Sequence, residues 1–286
     1  MTRSNQRKTR RTAHQQRAST GLWKPLAVVG LLSTAACATA PNVPMPASDE
    51  AAVPTADDIL QRWLELRSRN GSGELPTTVM AKQMVRIPAI NLKSRAETLV
   101  DYQNGRMMQH IATRRTGSIY TGVIDGRVFS VNAFDIVYAD DADKRASLRS
   151  RAHHETDFRE WYGHRKYVGR EKMNGRITHR IKLVPADTNY QPVERWFDVK
   201  TGVLVREEMG QSVEGHQLPV TITYDDYRRV DGFLLPFREV SVVGPQLVEF
   251  TTKSVQTNIT LPKSRFMPPL NAFNARRLMG LEDDAK

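Results

Sequence analysis

A cluster of imidazole and carboxylate side chains is the first candidate for chemistry in this sequence of 286 residues. His153, His154, Glu155 and Asp157 lie close together, and His164 follows. Imidazole nitrogen and carboxylate oxygen are ligands of zinc, so a metal-dependent hydrolase is one hypothesis. Adjacent residues on a helix point about 100° apart, and His154 and Asp157, at i and i+3, supply only two ligands. We therefore interpret the cluster as polar helix surface and predict no metal site.

Motifs that mark common catalytic sites do not occur in the sequence. It has no Gly-x-Ser-x-Gly elbow, no Gly-x-x-x-x-Gly-Lys loop, no His-Glu-x-x-His and no Gly-x-Gly-x-x-Gly. The single cysteine is Cys37, so no thiol follows it for catalysis or for a thiolate metal site. His110, His179 and His216 are isolated and are interpreted as packing or surface residues. We expect no catalytic residues, no cofactor and no enzymatic activity.

Cys37 is the candidate for covalent modification. Residues 32–37 read Leu-Ser-Thr-Ala-Ala-Cys, which resembles the lipobox of bacterial lipoproteins, although Thr34 stands where that family usually has Leu. The resemblance implies a diacylglycerol on the thiol, a further acyl chain such as palmitate on the new N-terminus, and cleavage before Cys37. Ala38 then implies transfer to the outer membrane. The alternative is ordinary signal-peptidase cleavage near Ala40, which would leave a soluble periplasmic protein.

The charge distribution also indicates export. Residues 1–36 contain seven Lys and Arg and no acid, whereas the rest of the chain has 35 basic and 31 acidic residues. A basic stretch ahead of an apolar run is typical of a signal peptide. The apolar run, residues 25–36, would form about 18 Å of helix, shorter than the ~30 Å of a bilayer core. Basic patches elsewhere lack interleaved aromatics, so no nucleic-acid partner is expected.

Composition divides the chain into four parts. We predict a signal peptide over residues 1–36, a lipidated Pro- and Ala-rich tether over 37–54, one domain over 55–270 and a tail over 271–286. The tether has four prolines and mostly small residues, so it cannot bury enough apolar surface to fold.

Hydrophobic periodicity predicts the elements that must position any site. Thr55 as an N-cap, followed by Asp57 and Asp58 in the first turn, predicts the start of a helix. Asn70-Gly71 predicts its end. From residue 77 the period changes to two, and pairs such as Asn104-Gly105 predict hairpins. Residues 141–162 favour one or two helices. The predicted strands are residues 77–87, 95–102, 106–113, 119–124, 128–134, 167–172, 176–184, 191–199, 203–209, 218–227, 233–243 and 246–258.

These elements predict an α+β fold, mainly β, in which a single curved antiparallel sheet packs against a few helices. The hairpins at residues 196–204 and 224–237, the closing segment 255–269 and the helix start at 58–63 resemble the periplasmic lipoprotein-carrier superfamily. That superfamily includes the LolA- and LolB-like carriers and the sensor domain of envelope-stress regulators. The resemblance implies an incomplete barrel of about eleven strands wrapped around helices, which shelters acyl chains and has no catalytic residues.

The expected function is therefore a non-enzymatic, outer-membrane-anchored lipoprotein that binds lipid or lipoproteins on the periplasmic side. An envelope sensor or protein-interaction domain of the same fold, with an envelope protein as partner, is the alternative. Strand alternation supplies candidate positions that either line an acyl-chain site or form core against the helices. They are Val79, Val85, Leu99, Val100, Ile181, Leu183 and Val205.

Overall fold

The computed structural model describes residues 53–113, 117–131, 136–138, 158–188, 190–213 and 216–267. The helices are α1 (Ala56–Arg67) and α2 (Phe158–Trp161), with short 3₁₀ turns at Arg69–Gly71, Pro88–Ile90 and Lys263–Phe266. The strands in these residues are β1 (Thr78–Ile87), β2 (Leu92–Asp101), β3 (Arg106–Thr113), β4 (Gly117–Ile124), β5 (Arg127–Val131), β6 (Ile136–Tyr138), β7 (Tyr162–Met173), β8 (Arg176–Pro185), β9 (Val193–Asp198), β10 (Leu204–Val213), β11 (His216–Val230), β12 (Phe233–Val243) and β13 (Gln246–Thr257).

All of these strands form one antiparallel sheet in the order β6-β5-β4-β3-β2-β1-β13-β12-β11-β10-β9-β8-β7. Strands that are consecutive in sequence are paired by hairpin connections, and β1 pairs with β13 in the interior of the sheet. β6 and β7 are the two edges and do not pair with each other in the described residues, so the barrel is incomplete. The predicted fold class is confirmed. The described strands number thirteen, against twelve predicted ranges and the roughly eleven strands that the resemblance implies. The strand without a predicted range is β6, whose three residues are too few to show a period of two.

Helix α1 begins where its polar residues predict. The Thr55 side chain accepts a hydrogen bond from the Asp58 backbone N–H, and the Asp58 carboxylate accepts one from the Thr55 N–H, which is a complete capping box. The predicted end at Asn70-Gly71 is wrong, because the α-helix stops at Arg67 and Ser68 is extended. A 3₁₀ turn with Asn70 at φ 51° then reverses the chain.

We call the sheet face that holds α1 the inner face and the opposite face the outer face. Ile59, Leu60 and Trp63 of α1 are buried in a cluster on β7 to β12. Its sheet members include Tyr162, Ile181, Leu183, Val193, Phe197 and Leu204. The amphipathic helix thus covers the inner face of the C-terminal half of the sheet and forms the main core there.

A segment after β13 covers part of the outer face. Residues 261–267 carry Phe266, which is 0% exposed, into a cluster of apolar side chains from β2 to β5. Its sheet members are Leu99, Met108, Ile124, Phe129 and Val131. The salt bridges Arg265–Glu97 (2.9 Å) and Lys263–Asp125 (2.8 Å) flank this segment.

Two predicted elements differ from the structure. The helical prediction for residues 141–162 lies mostly outside the described residues; within them only Phe158–Trp161 is helical. Tyr162 begins β7, five residues before the predicted start at 167, because bulges at Tyr162/His164 and Tyr167/Gly169 interrupt the alternation. The strand predicted over 128–134 is described only as far as Val131. No helix of the described chain is long and apolar enough to cross a membrane.

Candidate ligand-binding face

Among the described residues, the paired inner-face positions of β13 and β1 to β5 carry no charged side chain, and Lys253, the extra residue at the β13 bulge, is exposed. Strand alternation and register place 79, 81, 83, 85 and 87 of β1 on this face, together with their partners on β2 and β13. The partners on β3, β4 and β5 continue the face. Every residue at these positions is apolar or has a neutral hydroxyl or amide. Charged residues make up 26% of the chain, so a low overall content of charge does not explain why these positions have none.

Two apolar patches lie on this face. The first, which we call the Val85 patch, lies at one end of the strands. It comprises Val85, Ile87, Leu92, Ala96, Ile111, Ile119, Val248 and Phe250. The second, the Val100 patch, lies at the other end. It comprises Val100, Tyr102, Met107, Val123 and Val128.

A row of neutral polar side chains separates the two patches. We call it the polar row, and it crosses six neighbouring strands on the inner face. The row comprises Thr252, Gln83, Thr98, Gln109, Thr121 and Ser130. Thr98 Oγ1 donates to Gln83 Oε1 at 2.9 Å, and Gln109 Nε2 donates to Thr98 Oγ1 at 3.4 Å. Gln83 Nε2 reaches Thr252 Oγ1 at 3.5 Å, which links β1 to β13.

The outer face of the same strands has the opposite character. Arg86, Arg95, Glu97 and Glu249 all project there and are half-buried or exposed. Arg86 pairs with Glu249 at 3.8 Å, as is typical of a solvated strand surface. Charge is thus segregated to one side of this half of the sheet, and the other side is suited to an uncharged ligand.

The inner face of the C-terminal half is occupied differently. Besides α1, it carries the buried ion pair Arg195–Glu207, with Arg195 Nε donating to Glu207 Oε2 at 2.7 Å. The Arg195 guanidinium also lies over the Tyr162 ring, 5.6 Å from its centroid. Protein side chains therefore already fill this half, and the uncharged half is the candidate site.

The predicted lining residues are divided among three environments. Val79, Val85 and Val100 lie on the uncharged inner face. Leu99 lies on the outer face against Phe266, because successive residues of a strand point to opposite faces and Val100 points inward. Ile181 and Leu183 lie beneath α1 as core. Val205 is buried at a bulge between Leu204 and Arg206.

The polar row was not predicted from the sequence. Each of its residues occupies an ordinary alternating position, and nothing local marks them as a set. The available signal was the lack of charge at every second position of five successive strands. The alignment of the polar residues depends on register, including a bulge at Lys82/Gln83.

The described histidines form no metal site, and no group of three potential ligands occurs in the described ranges. The His153–Asp157 cluster lies outside them. His110 stacks on Tyr120 with centroids 4.3 Å apart, and Nδ1 of His179 lies 3.3 Å from the Tyr167 hydroxyl. Burial lowers the pKa of His179, and the nearby cations Arg170 and Arg62 lower it further, so its imidazole is neutral near pH 7.

Comparison with known proteins identifies the fold. No family profile and no curated protein matches the sequence. A LolA superfamily protein from Nitrosomonas europaea matches in structure at TM-score 0.51 with 16% identity, over 76% of this chain and 99% of that one. A DUF1329 family protein from Desulfovibrio piger matches at TM-score 0.51 with 11% identity, over 73% and 96% of the two chains. The chain has the LolA-like fold.

Proposed function

We propose that this chain is a non-enzymatic binding protein for lipid or acylated protein, held at the outer membrane by a lipid on Cys37 and facing the periplasm. The observation that carries the proposal is the uncharged inner face of β13 and β1 to β5. Removing an acyl chain from water stabilises it by about 0.8 kcal/mol per CH₂. A curved apolar face provides that stabilisation without any chemical step, whereas a charged face would not.

The remaining domain assignments form part of the same proposal. A signal peptide over 1–36, a tether over 37–54, a domain over 55–270 and a tail over 271–286 would place the sheet at a short distance from the membrane. A diacylglycerol supplies two chains, and two chains anchor a protein stably where one does not.

Lipid extraction and mass spectrometry of protein isolated from its own envelope test the binding proposal. We expect acyl lipid to co-purify and a fluorescent fatty acyl ester to bind at micromolar concentration. An envelope protein that co-purifies without lipid, together with no binding of the acyl probe, would contradict the proposal and favour the sensor alternative.

A matched pair of variants locates the site. Val79→Glu places a charge on the inner face, while Met84→Glu places one on the outer face of the same strand, where Met84 is 36% exposed. We expect Val79→Glu to weaken binding of the acyl ester at least about tenfold, because burial of an unpaired charge is costly. Met84→Glu should bind as the wild type does. Equal effects of the two substitutions would place the ligand elsewhere.

A further inference from the structure

The polar row lies across the path of any long ligand on the inner face. Val100 and Thr98 are two positions apart on β2, and Val85 and Gln83 are two positions apart on β1, so these patch residues lie about 7 Å from the row along their strands. Ala96 of the Val85 patch pairs directly with Gln83, so the row adjoins that patch. The row itself extends over six strands, or about 24 Å. An acyl chain that runs along the strands and contacts both patches must therefore cross the row.

A bare hydrocarbon is a poor occupant at this crossing. It would cover the hydroxyl and carboxamide groups of the row and offer them no hydrogen bond, which costs free energy for each group. The bonds among Gln83, Thr98, Gln109 and Thr252 use only part of the donors and acceptors of these side chains. The row thus keeps capacity to bond a polar group of a ligand.

Among the described residues, the same face also carries a buried hydroxyl group that has no hydrogen-bond partner. Ser94 is 5% exposed, and its Oγ makes no hydrogen bond in the described part of the protein. It lies on β2 opposite Val85, within the Val85 patch. Buried polar groups are almost always paired, so this hydroxyl indicates that a ligand or water completes the site.

The row is also unsuited to an ionised group. The row contains no cation, and no paired inner-face residue described from β13 to β5 supplies one, while Lys253 at the β13 bulge is exposed to solvent. On the neighbouring strand β12, the inner-face residue opposite Phe250 is Glu239, which is itself an anion. A carboxylate at the row would lose its water without gaining a countercharge.

We propose that the polar row recognises the uncharged ester or amide linkage of an acyl ligand, so that this protein selects neutral acyl esters and amides over ionised fatty acids. The inference rests on the proposed function and specifies its ligand class. The carbonyl of the linkage accepts from the carboxamide and hydroxyl donors of the row, and the alkyl segments on its two sides lie on the Val85 and Val100 patches.

Competition binding to purified, delipidated full-length protein tests this inference. Diphenylhexatriene, which has no polar group, reports occupancy of the apolar patches. Hexadecanoic acid, methyl hexadecanoate and hexadecanamide then compete at mildly alkaline pH, where the acid is ionised. We expect the ester and the amide to compete at least about tenfold better than the acid.

Thr98→Val removes the central hydroxyl of the row with little change of shape. It should reduce the preference for ester over acid by about fivefold to tenfold, the effect of one neutral hydrogen bond, without weakening diphenylhexatriene binding, because the two patches keep their apolar side chains. Gln109→Leu should also reduce the preference for ester over acid, and it replaces Thr98→Val in the test if that variant does not fold. Thr251→Val, on the outer face beside Thr252, is the control and should change nothing.

The possible outcomes separate the two proposals. If the acid competes as well as the ester, or if both row variants keep the full preference, the row does not select the ligand, although acyl binding on this face stands. If neither diphenylhexatriene nor any acyl compound binds to the wild-type protein, both the row inference and the proposed function fail.

Discussion

At the scale of single residues, the inner face contains an ion pair whose burial costs free energy. The side chains of Arg195 and Glu207 are only 9% and 10% exposed, and their ion pair lies in the half of the sheet that α1 covers. Attraction between two buried charges roughly offsets their loss of water, so the pair adds little net stability. Removal of one partner is different, because it leaves the other charge buried and unpaired.

A double-mutant cycle tests this balance. Glu207→Leu should lower the free energy of unfolding by about 3–5 kcal/mol, since the buried Arg195 guanidinium loses its carboxylate. Adding Arg195→Met should recover most of that loss, because both charges are then replaced by apolar groups. Urea denaturation of the wild type, the two single variants and the double variant measures the energies. Simple addition of the two single costs would show that the pair is not coupled.

The capping box of α1 has a residue-scale consequence for pH dependence. Hydrogen bonds from the Thr55 side chain and backbone lower the pKa of the Asp58 carboxyl. A lowered folded-state pKa means that the ionised form is the one stabilised by folding. This contribution is complete above the unfolded-state pKa of an aspartate and disappears as the pH falls through the lower folded-state value.

Thr55→Ala should therefore lower the melting temperature by about 2–4 °C at pH 7. The difference from the wild type should narrow as the pH falls below about 4, the unfolded-state pKa of an aspartate, because the unfolded chain then takes up a proton that folded Asp58 accepts only at lower pH. Thermal unfolding followed by circular dichroism across this range measures the change. Thr260→Ala, at an exposed threonine outside the helices and strands, is the control. A difference that stays constant into acid would exclude the carboxylate as the cause.

At the scale of elements, the segment 261–267 acts as a second covering element, on the side of the sheet opposite α1. Phe266 is fully buried against five apolar side chains of β2 to β5 that would otherwise face water. Gly122 on β4 belongs to the same packing, since a Cβ there would come within 2.6 Å of the Phe129 ring. The burial of these apolar side chains on the outer face of β2 to β5 thus depends on the short segment 261–267, which follows the last strand.

Phe266→Ala measures how much this covering segment contributes. We expect it to lower the free energy of unfolding by about 3–5 kcal/mol, as for other large buried aromatics. Lys263→Ala in the same turn is the control, because its salt bridge to Asp125 is half exposed and should contribute under about 1 kcal/mol. Similar losses from both substitutions in urea denaturation would mean that the segment is held by charge and not by Phe266.

At the scale of the whole molecule, local chemistry predicted the hairpins well. Asn104-Gly105, Asp125-Gly126 and Asp231-Gly232 all sit between strands, because their residues tolerate positive φ. The boundaries of β3 and β12 agree with the predicted 106–113 and 233–243. Alternation within β1 places Val79 and Val85 on one face, and the pairing of β1 with β2 adds Val100 to it.

Features that depend on distant pairing could not be predicted in this way. Residues far apart in sequence decide that β1 lies beside β13, and no pattern within either strand identifies the partner. The placement of Leu99 failed for a related reason, since both faces of β2 are buried there and hydrophobicity does not distinguish them. The polar row requires the register of six strands at once, which only the folded sheet fixes.

The proposed anchor can be tested on the whole molecule. If residues 37–54 form the proposed tether, a flexible chain of that length would span about 20–25 Å on average, and the prolines would extend it further. Cys37→Ser should release the protein into the soluble periplasm or leave it as an unprocessed precursor. Palmitate labelling and envelope fractionation measure this, with Ser33→Ala as the control that keeps the thiol. A wild-type protein that takes up no label and is cut after Ala40 would be a free periplasmic protein.

The pairing of β1 with β13 has a consequence for synthesis. The other described pairings in the sheet join strands that are consecutive along the chain, so they close over short loops and form quickly. The pair between Val79 and Thr257 closes only when the last strand has been made. Until β13 becomes available, during synthesis or during the proposed export, β1 keeps one side of its backbone open, and an open strand edge can pair with other chains. The time between the first strand and the last is therefore the period in which this protein is most exposed to aggregation.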